Sequence, residues 1–126
     1  MAEFGARAGE FERLGYRLAA LSVDAPARSG QVRERLQLPF PLLSDSDRHL
    51  VRAWDVLNPA EHGGIAHPAT AVVARDGLLT WFEREAMARR ARPGDLLAFL
   101  EGGGEPRTHG LRPRLRDFAR ALRGVR

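Results

Sequence analysis

Residues 63–77, GGIAHPATAVVARDG, restrict the fold more than any other part of the chain. An apolar run, Ala69-Thr70-Ala71-Val72-Val73-Ala74, is bounded by Gly63-Gly64 on one side and by Arg75-Asp76-Gly77 on the other. A second run, Leu78-Leu79-Thr80-Trp81-Phe82, follows at once. Two β-prone runs joined by a turn containing Asp-Gly form a strong hairpin signal. The first run has no polar alternation, so it predicts a strand covered on both faces, as in the sheet of an α/β domain.

The chain has 126 residues, enough for one domain with a real core. It contains no cysteine, which excludes a disulfide framework, a thiolate metal site and a thiol nucleophile together. The first residues are too charged for a secretory leader, and no run approaches the ~20 apolar residues needed to span a bilayer. The expectation is a cytoplasmic chain without membrane insertion. All 20 basic residues are Arg; this would suit phosphate recognition, but codon bias explains it better, because Ala, Gly and Pro are abundant too. Residues 107–126 hold seven Arg and one acidic residue, so the net charge of +4 is concentrated at that end.

Taken in order, residues 2–14 place Phe4, Ala8, Phe11 and Leu14 at near-helical spacing, and Gly15 stops that helix. Residues 16–23 read as the first strand. Ser29 is a candidate cap for a helix over 31–38, which Pro39-Phe40-Pro41 ends before a short strand at Leu42-Leu43. Ser44 to Asp47 offer caps for a helix over 47–56, with Leu50, Val51 and Trp54 inward. Residues 58–68 read as a loop, and 83–92 as a polar surface connection. Pro93 suits the first position of a helix over 93–101. One domain over 1–101 is therefore expected, then a Gly-rich linker over 102–110 and a basic amphipathic helix over 111–126.

Several phrases carry a resemblance: Phe11-Glu12-x-x-Gly15-Tyr16, Leu21-Ser22-Val23-Asp24, Phe40-Pro41-Leu42-Leu43-Ser44-Asp45, Trp54-Asp55-Val56, Gly64 to Thr70, and Arg75-Asp76-Gly77. Together they resemble a peroxiredoxin of the alkyl hydroperoxide reductase/thiol-specific antioxidant family. The likeness runs roughly from residue 11 to residue 100. It implies a thioredoxin-like three-layer α/β fold and, by descent, an antioxidant oxidoreductase. It also implies that the segment bearing the peroxide-attacking Cys, Pro-x-x-x-Thr-x-x-Cys, would lie before residue 1, as in an N-terminally truncated reading frame. Peroxide attack needs a thiolate, so the chain as written is expected to be inactive as a peroxidase. The same resemblance implies a missing central strand between the strands at 16–23 and 69–74. Those strands then close up, a homo-oligomer or strand-donating partner supplies what is missing, or the chain is only marginally stable.

In redox proteins of this fold the residue opening the strand at 69–74 faces the active site and is often a cis proline. Pro68 resembles it, with His67 beside it near where peroxiredoxins commonly carry an Arg, and with Thr70 next along the strand. These three are the expected binding positions, although His67 also fits a loop residue with structural contacts only. His49, His62, His67 and His109 match no compact metal-ligand spacing, and no metal or cofactor is expected. Asp45 and Asp47, beside two serines, read as helix caps and not as paired catalytic carboxylates. Ser22, Ser44 and Thr70 have no acid and imidazole partners indicated by the sequence. The Arg-rich end suits either an anionic partner or a solvated helix face. Phe118 is its one aromatic, which argues against single-stranded nucleic acid. A non-catalytic interaction module is thus the alternative reading.

Overall fold

A computed structural model describes residues 1–61, 63–77, 79–84 and 91–102. The N-terminal amphipathic segment forms two short helices, α1 (Ala2–Ala6) and α2 (Ala8–Arg13). The single helix expected over 2–14 is broken at Arg7, whose φ of −113° leaves the helical range. Arg7 turns its guanidinium onto Glu10 in a two-pronged pair, Nε to Oε1 at 2.7 Å and Nη2 to Oε2 at 2.8 Å. That hydrogen-bonded partner holds the Glu10 carboxyl below the usual carboxylate range.

The first strand, β1 (Ala20–Ser22), is shorter than the apolar run over 16–23. It pairs in parallel with β2 (Leu42–Ser44), Ala20 opposite Leu42 and Ser22 opposite Ser44. Between them α3 (Pro26–Arg35) crosses over, starting five residues earlier than the helix expected over 31–38. Pro26 takes its first turn, and Ser29 is buried within the helix with its Oγ unpartnered instead of capping the start. Next comes α4 (His49–Ala53), reached through Arg48 in the left-handed region at φ 57°.

The loop expected over 58–68 contains a small antiparallel pair, β3 (Leu57–Asn58) with β4 (Ile65–Ala66). Two-residue strands offer too little periodicity to be read from sequence. The hairpin is present as expected: β5 (Ala69–Val73) pairs antiparallel with β6 (Leu79–Arg84). Strand β6 runs through Arg84, into the segment expected to be a connection. A register shift between Val72 and Val73 places Leu79 opposite Val73 while Trp81 stays opposite Val72. The extra residue, Thr80, donates its Oγ–H to the Val72 carbonyl at 3.2 Å. Without this bulge Leu79 would point away from the face that Phe82 occupies, because side chains alternate along a strand.

The last described element is α5 (Pro93–Gly102), begun by Pro93 as expected. The linker beyond Gly102 and the basic helix expected over 111–126 lie outside the described residues, as do His62 and His109.

Two apolar layers hold these parts together. On one side Leu50, Val51, Trp54, Val56 and Phe82 are buried, and Leu21, Val23, Ala71 and Val73 pack against them. Trp54 meets Phe82 edge-on, with ring centroids 5.8 Å apart. On the other side Phe11, Val72, Leu96 and Leu97 are buried, next to a group of Ala8, Leu38 and Phe40. Phe4 and Leu18 pack against both groups and join them into one layer. Strands β1 and β5 therefore send alternate residues into the same two layers. Among the described residues they nonetheless belong to separate two-stranded sheets, β1 with β2 and β5 with β6. The two strands have not closed onto one another.

Candidate functional site

The three expected binding positions fall where β4 passes into β5. His67 is half-buried, and its backbone N–H donates to the Val56 carbonyl at 2.7 Å. This bond ties the start of β5 to the end of the α4 region. Pro68 is half-buried and follows a trans peptide, since no cis bond occurs among the described residues. The likeness to a cis proline at this position does not hold in the backbone. Thr70 is half-buried on β5 opposite Glu83, and by alternation it shares the face of Val72.

A second polar group lies at the carboxyl ends of β1 and β2, the edge where α/β sheets commonly place their sites. The Ser22 hydroxyl donates to Asp24 Oδ2 at 2.6 Å, and the Asp24 N–H donates back to Ser22 Oγ at 3.1 Å. Ser44 donates its hydroxyl to the Asp24 carbonyl, while Arg28 approaches Asp24 Oδ1 at 3.5 Å. A hydroxyl that gives its proton to a carboxylate, with no imidazole among these bonds, is not an activated nucleophile. The group fastens the two strand ends together. Its residues were visible in the sequence, but the 20-residue separation of Asp24 and Ser44 left no local signal.

Asp45 and Asp47 act as caps, as expected. Asp45 is 2% exposed and accepts both the Leu50 N–H at 3.1 Å and the Val51 N–H at 2.9 Å. Asp47 accepts the His49 N–H at 3.3 Å. Arg48, aimed by its left-handed backbone, donates Nε–H to the Gly64 carbonyl at 2.8 Å. Gly64 has a φ of 100°, and a Cβ there would stand 3.2 Å from Arg48 Nε, so this close approach needs glycine. The loop before His67 is thereby fastened to the start of α4.

An open cleft lies elsewhere, between α2 and the 39–41 segment, with Glu12 and Arg17 in its lining. None of His67, Pro68 and Thr70 lines it. Ala8, Leu18, Pro39 and Phe40 form the apolar part of its lining. Among the described residues no three His, Asp or Glu side chains gather as metal ligands.

The profile of the AhpC/TSA family matches residues 1–82. The chain belongs to the AhpC/TSA family. Peroxiredoxin 1 of Sulfuracidifex metallicus is 33% identical over 76 residues, which cover 56% of this chain and 34% of that protein. The chain thus spans about a third of the length of the curated relatives it matches. Reduced Prx3 from Vibrio vulnificus, solved in complex with hydrogen peroxide, superposes with a TM-score of 0.74 at 18% identity. The match covers 81% of this chain and 66% of Prx3. AhpC of Enterococcus faecalis gives 0.69 at 21% identity, covering 81% of this chain and 62% of that one. At these identities the likeness establishes the fold, a thioredoxin-like α/β arrangement of the kind that family uses. The 126-residue sequence contains no cysteine.

Proposed function

We propose that this AhpC/TSA-family chain is a non-catalytic scaffold: it keeps the family's layered framework and performs no peroxidase chemistry by itself. The observation that carries the reading is the absence of any thiol, since the sequence has no cysteine. Reducing a peroxide requires a thiolate to attack one oxygen and expel the other, and no serine, histidine or carboxylate here supplies that electron pair. The hydroxyl–carboxylate group at Ser22 and Asp24 holds strand ends and has no base poised for nucleophilic attack.

His67, Pro68 and Thr70 are the positions we assign to ligand contact. Their support is their half-burial at the opening of β5 and the family resemblance of this segment. No helix among the described residues is long and apolar enough to cross a membrane. The alternative role, an interaction module that engages an anionic partner through its Arg-rich end, is favoured by the seven Arg against one acidic residue in 107–126.

The test is peroxide consumption by the purified chain with dithiothreitol as reductant. The expected rate equals that of dithiothreitol alone at every protein concentration. A rate that rises in proportion to protein would overturn the proposal.

A further inference from the structure

We infer that the cleft between α2 and the 39–41 segment binds a small zwitterion, an α-amino acid with an apolar side chain, its ammonium on Glu12 and its carboxylate on Arg17. The cleft lies apart from His67, Pro68 and Thr70, and the inference does not rest on the non-catalytic reading.

The walls of the cleft are held in place by the fold. On one side Ala8 and Glu12 stand one helical turn apart on α2, so both face the cleft. On the other side is Pro39-Phe40-Pro41, stiffened by two prolines that fix their own φ. Its backbone is fastened at two points. Arg33 donates Nε–H to the Phe40 carbonyl at 3.2 Å, and Ala20 donates its N–H to the Pro41 carbonyl at 2.9 Å. Ala8 and Phe40 belong to one buried group with Leu18 packed against it, which joins the two walls. A preformed site gives up less conformational freedom when it binds.

Charge decides the occupant. Of the residues lining the cleft, only Glu12 and Arg17 are charged, and they have opposite signs. Both are exposed, and among the described residues neither side chain has an ion-pair partner; they do not pair with one another either. Arg7, at the start of the same helix, is by contrast engaged by Glu10. A simple carboxylate would gain Arg17 and be repelled by Glu12, and a simple amine would meet the converse. A dipolar ligand satisfies both groups, so complementarity favours it. An α-amino acid carries both charges on one carbon and leaves its side chain for the apolar lining. Covering that lining favours leucine over glycine, because only leucine removes apolar surface from water.

Titration of the full chain with L-leucine, followed by the amide resonances of Ala8, Leu18 and Phe40, tests this. The shifts are expected to saturate. Three truncated ligands serve as controls: 4-methylpentanoate has no ammonium, 3-methylbutylamine has no carboxylate, and glycine has no side chain. Each should bind about threefold or more weakly than leucine, the loss expected for one exposed charged contact or one uncovered apolar group. Two variants then assign the ends. Glu12→Gln should abolish the preference for leucine over 4-methylpentanoate, and Arg17→Gln the preference over 3-methylbutylamine. Absence of saturation with leucine at concentrations on the order of 10 mM would overturn the proposal. So would equal binding of any control to the unaltered chain, or a ligand preference that survives either substitution. None of these results alters the peroxide assay, so the two readings fail separately.

Discussion

Replacing Phe11 by Ala is expected to lower stability by about 3–5 kcal/mol and the melting temperature by about 10–20 °C. Phe11 is 1% exposed and forms a buried group with Val72 of β5 and Leu96 and Leu97 of α5. Its ring also stacks on Phe4, with centroids 5.9 Å apart. Its carbonyl accepts the N–H groups of Leu14 and Tyr16, so the helix end is anchored at the same residue. Truncation would leave a cavity where α2, α5 and the hairpin meet. The loss is a large share of the 5–15 kcal/mol that usually stabilises a domain. Leu36, which is 36% exposed, provides the control: its change to Ala should cost less than about 0.5 kcal/mol. Urea titration followed by circular dichroism checks both. Equal effects of the two substitutions would contradict the packing described.

Asp45→Ala is expected to cost about 2–4 kcal/mol. Asp45 accepts two amides of α4 with its two carboxylate oxygens, and its own carbonyl accepts the Arg48 N–H at 2.8 Å. Bonds to an ionised acceptor are stronger than neutral ones, and removing the side chain strands two N–H groups in a buried place. Helix α4 has five residues, too few to persist without its cap. It carries Leu50 and Val51, so losing the cap would also disturb the layer around Trp54 and Phe82. Asp45→Asn keeps one acceptor and should recover about half of the loss. An Asn variant no more stable than the Ala variant would show that charge, not acceptor geometry, is what matters there.

Much of this arrangement is legible in the sequence. The β5–β6 hairpin followed from two apolar runs around Asp-Gly, and Pro93 marked the start of α5 because a first-turn proline gives up no internal hydrogen bond. The Asp45 and Asp47 caps were read from their position before an apolar run. What escaped detection depends on non-local pairing. Strand β1 shrinks to three residues because only Ala20 to Ser22 find partners on β2, which no property of residues 16–23 reveals. The break at Arg7 and the bulge at Thr80 are choices of packing, decided by what lies opposite. Ser29 misled because a serine near a helix start resembles a cap, whereas Pro26 had already begun the helix. Of the candidate site, His67 and Thr70 lie where the sequence put them, at the opening of β5. The cis geometry implied for Pro68 came from likeness alone and is not present in the backbone.

Amide hydrogen exchange on the free chain addresses most directly whether β1 and β5 are two halves of a sheet with an open place between them. Ala20 N–H and Asp45 N–H, bonded across β1 and β2, should exchange about tenfold or more slowly than Leu21 N–H, which lies between the bonded positions on the outer edge. Protection of Leu21 equal to that of its neighbours in the monomer would mean that the strands pair with one another, and the account would be wrong.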